Sequence, residues 1–162
     1  MILYYSTFST PAGKFSVAVD DTGAVVATAF GGRSALAGRG GKSRPGQDRR
    51  RTAAARRQIQ GYFGGRRREF DLPLSPSGTP FQQRVWAVLR SIPFGKTLSY
   101  GEVAAKIGAP RAARAVGRAC GTNPICLLVP CHRVIGASGS LTGFAFGEKT
   151  KRRLLKHEGA AS

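Results

Sequence analysis

Cys131 and His132 are neighbours in the sequence and directly follow Pro130, and this pair carries the clearest chemical signal in the chain. A free thiol has a pKa near ~8.5, so most of it is protonated and weakly nucleophilic at neutral pH. An adjacent imidazole can accept the proton, alone or through a water molecule, and the positive charge of Arg133 would stabilise the thiolate. A thiolate suits attack on an sp³ alkyl carbon, and ordinary hydrolysis does not reverse the resulting thioether. The pair therefore predicts a nucleophile that reacts once per molecule.

A cysteine beside a histidine can also be incidental, because free cysteine often serves as a small buried hydrophobic residue. Cys120 and Cys126 fit that role, since they lie at a helix end and in an apolar run without an adjacent histidine. His157 is expected at the surface or in packing. The three cysteines form no C-x-x-C pair, so the sequence predicts neither a disulfide framework nor a metal site.

Basic side chains are in large excess, with a formal net charge of +18 at pH 7 and a sequence pI of about 11.4. A solvated surface explains a few such charges, whereas an excess of this size favours a polyanionic partner, above all nucleic acid. The chain has no apolar run of 18 residues and no signal-peptide pattern at its N-terminus. These features predict a cytoplasmic protein with no membrane association.

Apolar periodicity and turn residues divide the chain into two predicted domains, residues 1–78 and 79–162. Alternating apolar residues between Ile2 and Phe30 predict antiparallel strands joined as a meander or hairpin. The rest of the first domain is predicted to comprise a basic Gly/Arg-rich loop or poorly ordered segment at 31–51, a helix at 52–63 and a short strand at 70–74.

The second domain is predicted to be mainly helical. Thr79 is a suitable N-cap with Pro80 at the first helical position, and Ser99 begins a second helix in which Glu102 completes a capping box. That helix is short and stops at Gly108, and a basic helix follows it. This order is typical of a helix-turn-helix, although many all-α proteins contain it too. The predicted bounds of the last three helices are 100–107, 110–120 and 149–158.

These elements define an α+β fold class. A small α/β N-terminal domain of antiparallel strands and a helix precedes a mainly helical C-terminal domain with a winged-helix-like helix-turn-helix. An apolar run at 125–129 leads into the Cys131 segment, and four glycines between 136 and 147 predict a loop after it.

The residues Pro130-Cys131-His132-Arg133-Val134-Ile135 resemble the active-site signature of the O6-alkylguanine-DNA alkyltransferases, also called methylated-DNA–protein-cysteine methyltransferases. The resemblance is strong over residues 79–158, whereas the first half is similar only in length and in its order of strands and helix. The other matching segments are 81–86, 92–97, 99–102, 114–117, 123–124 and 154–155, together with Glu158.

The resemblance implies a catalytic role for five residues. Cys131 would accept the alkyl group, His132 would act as its base through a water molecule, and Glu158 would orient His132. Asn123 resembles a hinge asparagine that ties the turn before the active-site strand to the recognition helix. Tyr100 resembles a tyrosine that crowds the target phosphate and helps protonate the leaving guanine.

The resemblance also implies how DNA is bound. A base inside a duplex hides its O6-alkyl carbon, so the base must leave the stack, and Arg114 resembles an arginine that fills the space it leaves. The helix-turn-helix would dock in the minor groove, which avoids sequence readout. The residues implied in DNA contact are Ser99, Tyr100, Ala112, Arg114, Ala115 and Arg118. Those implied in the guanine pocket are Pro130, Val134, Phe144, Ala145 and Phe146.

Two departures from the family pattern yield hypotheses. Phe144-Ala145-Phe146 stands where the family usually has a tyrosine followed by small residues, which suggests a tighter pocket that accepts large adducts such as O6-benzylguanine poorly. The basic stretch at 31–57 is either a solvated flexible loop or a nonspecific phosphate-binding extension. Its basic residues are Arg33, Arg39, Lys42, Arg44, Arg49, Arg50, Arg51, Arg56 and Arg57, with Asp48 as its only acid.

The predicted function is direct-reversal DNA repair. The protein would flip O6-alkylguanine out of duplex DNA, transfer the alkyl group to Cys131 and turn over once, without a cofactor and as a monomer. Action on O4-alkylthymine and cooperative binding to DNA stay open. The alternatives are a non-enzymatic lesion binder, a cysteine hydrolase and a basic architectural DNA binder, and transfer of a labelled methyl group to the protein separates the first reading from all three.

Overall fold

The computed structural model describes residues 2–39 and 44–160. The chain divides into two compact units, Met1–Ser77 and Gly78–Ser162. Among the described residues, none of the helices has the length and apolar character that crossing a membrane requires.

The first unit is an antiparallel meander extended by one parallel strand, which confirms the predicted strands. Its four-stranded sheet has the order β3-β2-β1-β4. Gly13, with φ of 101°, allows the tight turn between the first two strands, and the Asp20 carboxylate accepts the N–H groups of Thr22 and Ala24 in the next turn. The elements are β1 Leu3–Thr10, β2 Gly13–Asp20, β3 Val25–Phe30, β4 Gly46–Gln47 and α1 Ala53–Phe63.

Aromatic and aliphatic side chains form the core of the first unit. Phe15 is fully buried and its ring meets that of Phe30 edge-on, with the centroids 5.0 Å apart. Ile59 and Tyr62 are the fully buried side chains of α1, as expected for residues one helical turn apart. The predicted helix at 52–63 is confirmed.

The predicted loop at 31–51 is wrong in part, because pieces of it are folded against the sheet. Residues Arg33–Leu36 form a 3-10 turn with Leu36 buried, and β4 pairs in parallel with β1. The guanidinium of Arg51 lies 4.3 Å from the ring centroid of Tyr4, and that of Arg33 lies 5.5 Å from that of Tyr5. Such cation–π contacts and one buried leucine fix a segment that its composition alone assigns to a loop. Lys42 lies outside the described residues.

The predicted strand at 70–74 is also wrong. Of these residues only Leu74 makes a β-bridge, to Val25. The Val25 N–H donates to the Pro73 carbonyl, and the Val25 carbonyl accepts from the Ser75 N–H. Pro73 has no N–H to extend a ladder, and the N–H of Asp71 donates instead to the side chain of Gln58.

Up to residue 160, the second unit contains four α-helices and one short parallel strand pair. The predicted N-cap Thr79 and the predicted capping box of Ser99 with Glu102 are both confirmed, and Thr79 also forms a capping box, with Gln82. The helix predicted at 110–120 begins later than expected. A turn precedes it, in which the Ala112 N–H donates to the Ala109 carbonyl. The elements are α2 Pro80–Arg90, β5 Leu98–Ser99, α3 Tyr100–Lys106, α4 Ala113–Gly121, β6 Val134–Ile135 and α5 Glu148–His157.

Candidate active site

The cysteine lies in a buried 3-10 turn, Cys131–Arg133, that leads directly into β6. This strand pairs in parallel with β5, so that Leu98 faces Val134 and Ser99 faces Ile135. Because β5 continues without a gap into α3, the pairing brings the start of the helix-turn-helix to the cysteine turn. Two short strands thus place the start of the helix-turn-helix next to the cysteine turn.

Asn123 fixes the backbone that precedes the cysteine. Its side chain donates from Nδ2 to the Val129 carbonyl at 2.8 Å and accepts from the Ile125 N–H at 3.0 Å. The apolar run at 125–129 forms no strand, because it turns back on itself with Leu127 in the left-handed region at φ of 73°. Satisfying two buried backbone groups with one amide holds this reversal closed.

The Glu158 carboxylate accepts hydrogen bonds from three residues. Oε2 accepts from His132 Nε2 at 2.8 Å, and both oxygens accept from the Arg133 guanidinium, at 2.8 and 2.9 Å. Oε1 also accepts from the Gly95 N–H at 3.3 Å. Gly95 has φ of 82°, and a Cβ there would lie 3.1 Å from the Glu158 carbonyl oxygen, so a side chain is disfavoured.

Arg133 therefore neutralises Glu158 and does not stand free beside the thiol, contrary to the sequence-based interpretation. Its third nitrogen, Nη1, donates to the Ile92 carbonyl at 2.7 Å, and the residue is buried. A bidentate guanidinium–carboxylate pair of this kind sets both distance and plane. The rigid acceptor that results holds the imidazole of His132.

His132 is fully buried, and burial lowers its pKa below the usual value, against the opposing effect of Glu158. We infer a neutral ring, because Glu158 is already compensated by Arg133. With Nε2–H donating to Glu158, the lone pair of the neutral ring is on Nδ1. This atom is buried and has no hydrogen-bond partner among the residues that the structure describes. The ring is thus oriented with its basic nitrogen available.

Sequence reasoning missed a buried lysine, Lys151, that contacts Tyr100. Lys151 Nζ is 3.5 Å from Tyr100 Oη and 3.4 Å from the Thr142 carbonyl, and Tyr100 donates to the same carbonyl at 2.8 Å. A Cβ on Gly143 would lie 2.6 Å from Tyr100 Oη, so the phenol occupies space that only glycine leaves. The three residues 100, 142 and 151 are therefore in contact.

The charge of Cys131 couples to this cluster. Burial raises the pKa of Tyr100 to about 12, and the negative charges of Cys120 and Cys131 add to that rise. Burial lowers the pKa of Lys151, while the two cysteines oppose that shift. Attraction acts in both directions, so the ammonium of Lys151 favours the thiolate of Cys131. Burial also raises the pKa of Cys120 to about 12, so its thiol is protonated at neutral pH and its negative charge acts on Tyr100 only at high pH.

The sequence contains a signal for Lys151, although the prediction did not use it. Lys151, Leu154, Leu155 and Glu158 are spaced i, i+3, i+4 and i+7, and all four are buried on one side of α5 and its C-cap. A lysine and a glutamate in an apolar stripe are exceptions that call for buried partners.

The predicted DNA-contacting residues lie on or just before the two helices of the helix-turn-helix. Arg114 and Arg118 are exposed one turn apart on α4, while Val116, Ala119 and Cys120 face the core. Of the others, Ser99 is the N-cap of α3, Ala112 is the N-cap of α4 and Ala115 is half-buried on α4. Neither arginine has an ion-pair partner in the described part of the chain.

The predicted pocket residues lie on both sides of the cysteine turn. Pro130 and Val134 are buried directly before and after it. In the following loop, Phe144 and Phe146 are half-buried with their ring centroids 5.8 Å apart, and Ala145 between them is exposed. Across residues 2–39 and 44–160, no group of three or more histidine, cysteine or acidic side chains could hold a metal ion.

A cysteine beside an oriented imidazole, in the same unit as a helix-turn-helix with exposed arginines, defines a DNA-binding protein with a cysteine nucleophile. Residues 80–160 match the family described as 6-O-methylguanine DNA methyltransferase, DNA binding domain, and residues 3–76 match its ribonuclease-like domain. The chain belongs to the 6-O-methylguanine DNA methyltransferase family, which confirms the resemblance and the predicted enzyme class, methylated-DNA–protein-cysteine methyltransferase.

Individual relatives are similar to this chain over nearly its whole length. The chain is 43% identical to a methylated-DNA–protein-cysteine methyltransferase of Methanosarcina acetivorans, over 98% of this chain and 99% of the relative. The crystal structure of Mycobacterium tuberculosis O6-methylguanine methyltransferase is similar with a TM-score of 0.86 and 42% identity, covering 98% of this chain and 93% of the other. A complex of Mycobacterium tuberculosis OGT with DNA gives 0.82 and 44%, covering 96% and 92%.

Proposed function

We propose that this protein repairs duplex DNA by moving the alkyl group of O6-alkylguanine onto Cys131, once per molecule. The observation that supports this most is the chain of contacts from the cysteine turn through His132 to a Glu158 that Arg133 compensates. This arrangement provides a nucleophile and an oriented base beside a DNA-binding motif.

Proton transfer precedes the bond changes. His132 Nδ1 accepts the Cys131 thiol proton through a water molecule, and Glu158 stabilises the imidazolium that forms, as in other activated nucleophiles. The thiolate sulfur then attacks the alkyl carbon. The new bond is sulfur–carbon, the bond that breaks is carbon–O6, and its electron pair goes to the guanine.

Tyr100 supplies the proton that the leaving guanine needs. A pKa of about 12 means that its phenol is protonated at neutral pH, so it can donate. The ammonium of Lys151, 3.5 Å from Tyr100 Oη, stabilises the phenolate that donation leaves. Since a thioether is stable to water, nothing in this sequence of steps regenerates the thiol, which predicts single turnover.

DNA binding and base extrusion follow from the helix-turn-helix. Arg114 enters the space left by the flipped guanine. The other residues of α3 and α4 that are implied in DNA contact bind the sugar-phosphate backbone and the minor groove. We propose the same path for O4-alkylthymine as a second substrate, and a monomer as the active species.

Substrate size is limited by the loop that carries Phe144 and Phe146. Its half-buried aromatic pair fills space that small residues would leave open. We expect Phe146→Gly to accelerate reaction with O6-benzylguanine more than with O6-methylguanine duplex, measured as second-order rate constants. Equal acceleration of both, or rapid benzyl transfer by the parent protein, contradicts this limit.

Label transfer tests the proposed function. Duplex DNA carrying one radiolabelled O6-methylguanine is incubated with the parent protein, Cys131→Ala and Cys120→Ala. We expect label on the parent and on Cys120→Ala, and none on Cys131→Ala. Tight binding without transfer by the parent would indicate a lesion binder, and label on Cys131→Ala would place the acceptor elsewhere.

A further inference from the structure

The first unit carries much of the positive charge although it contains neither the cysteine nor the helix-turn-helix. Residues 1–77 contain 13 of the 26 lysine and arginine residues and five of the eight acidic residues. The proposed repair reaction uses none of these basic side chains. These basic side chains are therefore available for a separate role.

Two of these arginines, Arg57 on α1 and Arg67 after it, line one groove together with Ala54 and Gln58. The groove has fixed walls, because the Gln58 side chain donates to the Asp71 carbonyl at 3.1 Å and accepts from its N–H at 2.9 Å. These two bonds hold the segment around residues 67–71 against α1.

Arg67 is itself held in place. Its Nη1 donates to the Glu69 carbonyl at 2.9 Å, and its Cβ lies 3.5 Å from where a Cβ on Gly61 would be, so its stem lies close to α1. The remaining guanidinium donors keep their orientation at low cost in side-chain entropy. Preorganised donors of this kind gain more from a ligand than freely rotating ones.

Neither arginine of the groove forms an ion pair within the described ranges. In the part of the chain that the structure describes, no carboxylate lies within ion-pair distance of Arg57 or Arg67, whereas Arg51 pairs with Asp48 at 3.5 Å. Arg56, which precedes Arg57 on α1, donates from Nη1 to the Arg49 carbonyl at 3.5 Å. Two like charges lining one groove repel each other until an anion occupies it.

We propose that the groove of Arg57 and Arg67 binds phosphodiester groups of duplex DNA, in addition to the phosphates that the helix-turn-helix contacts. A guanidinium presents parallel N–H donors that match two oxygens of one phosphate. None of the four residues that line the groove is aromatic, so no side chain there stacks on a base, and the contact is expected to be independent of sequence. The choice of DNA as the anion rests on the proposed function, because DNA is then the polyanion that this protein meets.

The test is the salt dependence of binding to an undamaged 30-base-pair duplex by the full chain. In Arg57→Gln/Arg67→Gln, the slope of log Kd against log salt concentration should decrease by about 1.8, since each lost phosphate contact removes ~0.9. A variant with the same charge loss elsewhere, Lys14→Gln/Arg90→Gln, should keep the parent slope. The variant Arg57→Lys/Arg67→Lys should keep the slope too, with weaker binding.

Methyl transfer to Cys131 at saturating duplex and low salt should be the same in all four proteins, which separates failure of this proposal from failure of the proposed function. An unchanged slope in Arg57→Gln/Arg67→Gln overturns the proposal. An equal decrease in the Lys14→Gln/Arg90→Gln variant also overturns it, because the effect would then be one of net charge alone.

Discussion

Arg133 and Arg57 carry the same charge in opposite circumstances. Arg133 is buried and forms a bidentate pair with Glu158, which in turn orients His132. Arg57 is exposed beside a groove and has no carboxylate partner among the described residues. Burial makes an unpaired charge costly, and the pairing that offsets this cost fixes geometry, which catalysis needs. Exposure leaves a charge free to attract a phosphate at any position along DNA, which searching needs.

Removing the partner of the buried arginine should have the largest effect. Glu158→Gln leaves Arg133 buried without its counter-charge, and we expect the free energy of unfolding to fall by ~3–5 kcal/mol. Urea denaturation of the unalkylated protein measures it. The matched control is Glu148→Gln, which breaks an exposed pair with Arg152 on the same helix and should cost at most ~0.5 kcal/mol. Equal losses would mean that burial does not distinguish the two pairs.

Lys151 is a third circumstance, a buried cation without a carboxylate partner in the described ranges. Lys151→Met should slow alkyl transfer roughly 10-fold, corresponding to ~1.4 kcal/mol, because the thiolate and the phenolate both lose a stabilising charge. The free energy of unfolding should stay level or rise, because a buried ammonium is costly. Rapid-quench kinetics at saturating duplex, beside the urea denaturation of the same variant, would test both. An unchanged transfer rate would remove Lys151 from the mechanism.

The pH dependence of stability tests the state of His132. Burial lowers the pKa of His132 in the folded protein. Below the ordinary histidine pKa near ~6.5, the unfolded chain therefore binds a proton that the folded chain does not bind. Its contribution is therefore complete above that pH and is lost as the pH falls toward the folded pKa, with a slope of at most ~1.4 kcal/mol per pH unit from this one proton. His132→Gln should flatten that part of the curve. The same slope in His132→Gln would assign it to other groups.

The smallest effect is expected at the exposed arginine. Arg57→Gln should change the free energy of unfolding by no more than ~0.5 kcal/mol, because no described partner loses an interaction. Arg133→Gln, measured in the same denaturation series, should be far more destabilising. A large loss in Arg57→Gln would show that this side chain supports the fold and would weaken the contrast between the two arginines.

Local sequence signals predicted the features that local chemistry determines. Thr79 and Ser99 each cap a helix through partners three residues away, and alternation in 2–30 identified the meander. Such contacts are readable because both partners lie within one turn or one hairpin.

Local signals did not predict features that depend on distant partners, and the contact between His132 and Glu158 was expected only from the family resemblance. Arg133 meets the Ile92 carbonyl 41 residues away, and Tyr100 meets Thr142 42 residues away. The docking of the 31–51 segment depends on Tyr4 and Tyr5, which are remote in sequence. In each case a basic or polar side chain that composition assigns to solvent is fixed by a contact that only the fold creates.

The central claim, that Cys131 accepts the alkyl group once and irreversibly, is tested most directly by counting products with damaged duplex in excess. Restored guanine is quantified by digestion and chromatography, and the protein by intact mass and peptide mapping. Single turnover predicts guanine equal to active protein and one methyl group on the peptide that contains Cys131. Guanine in excess of protein, or a methyl group on any other residue, would contradict it.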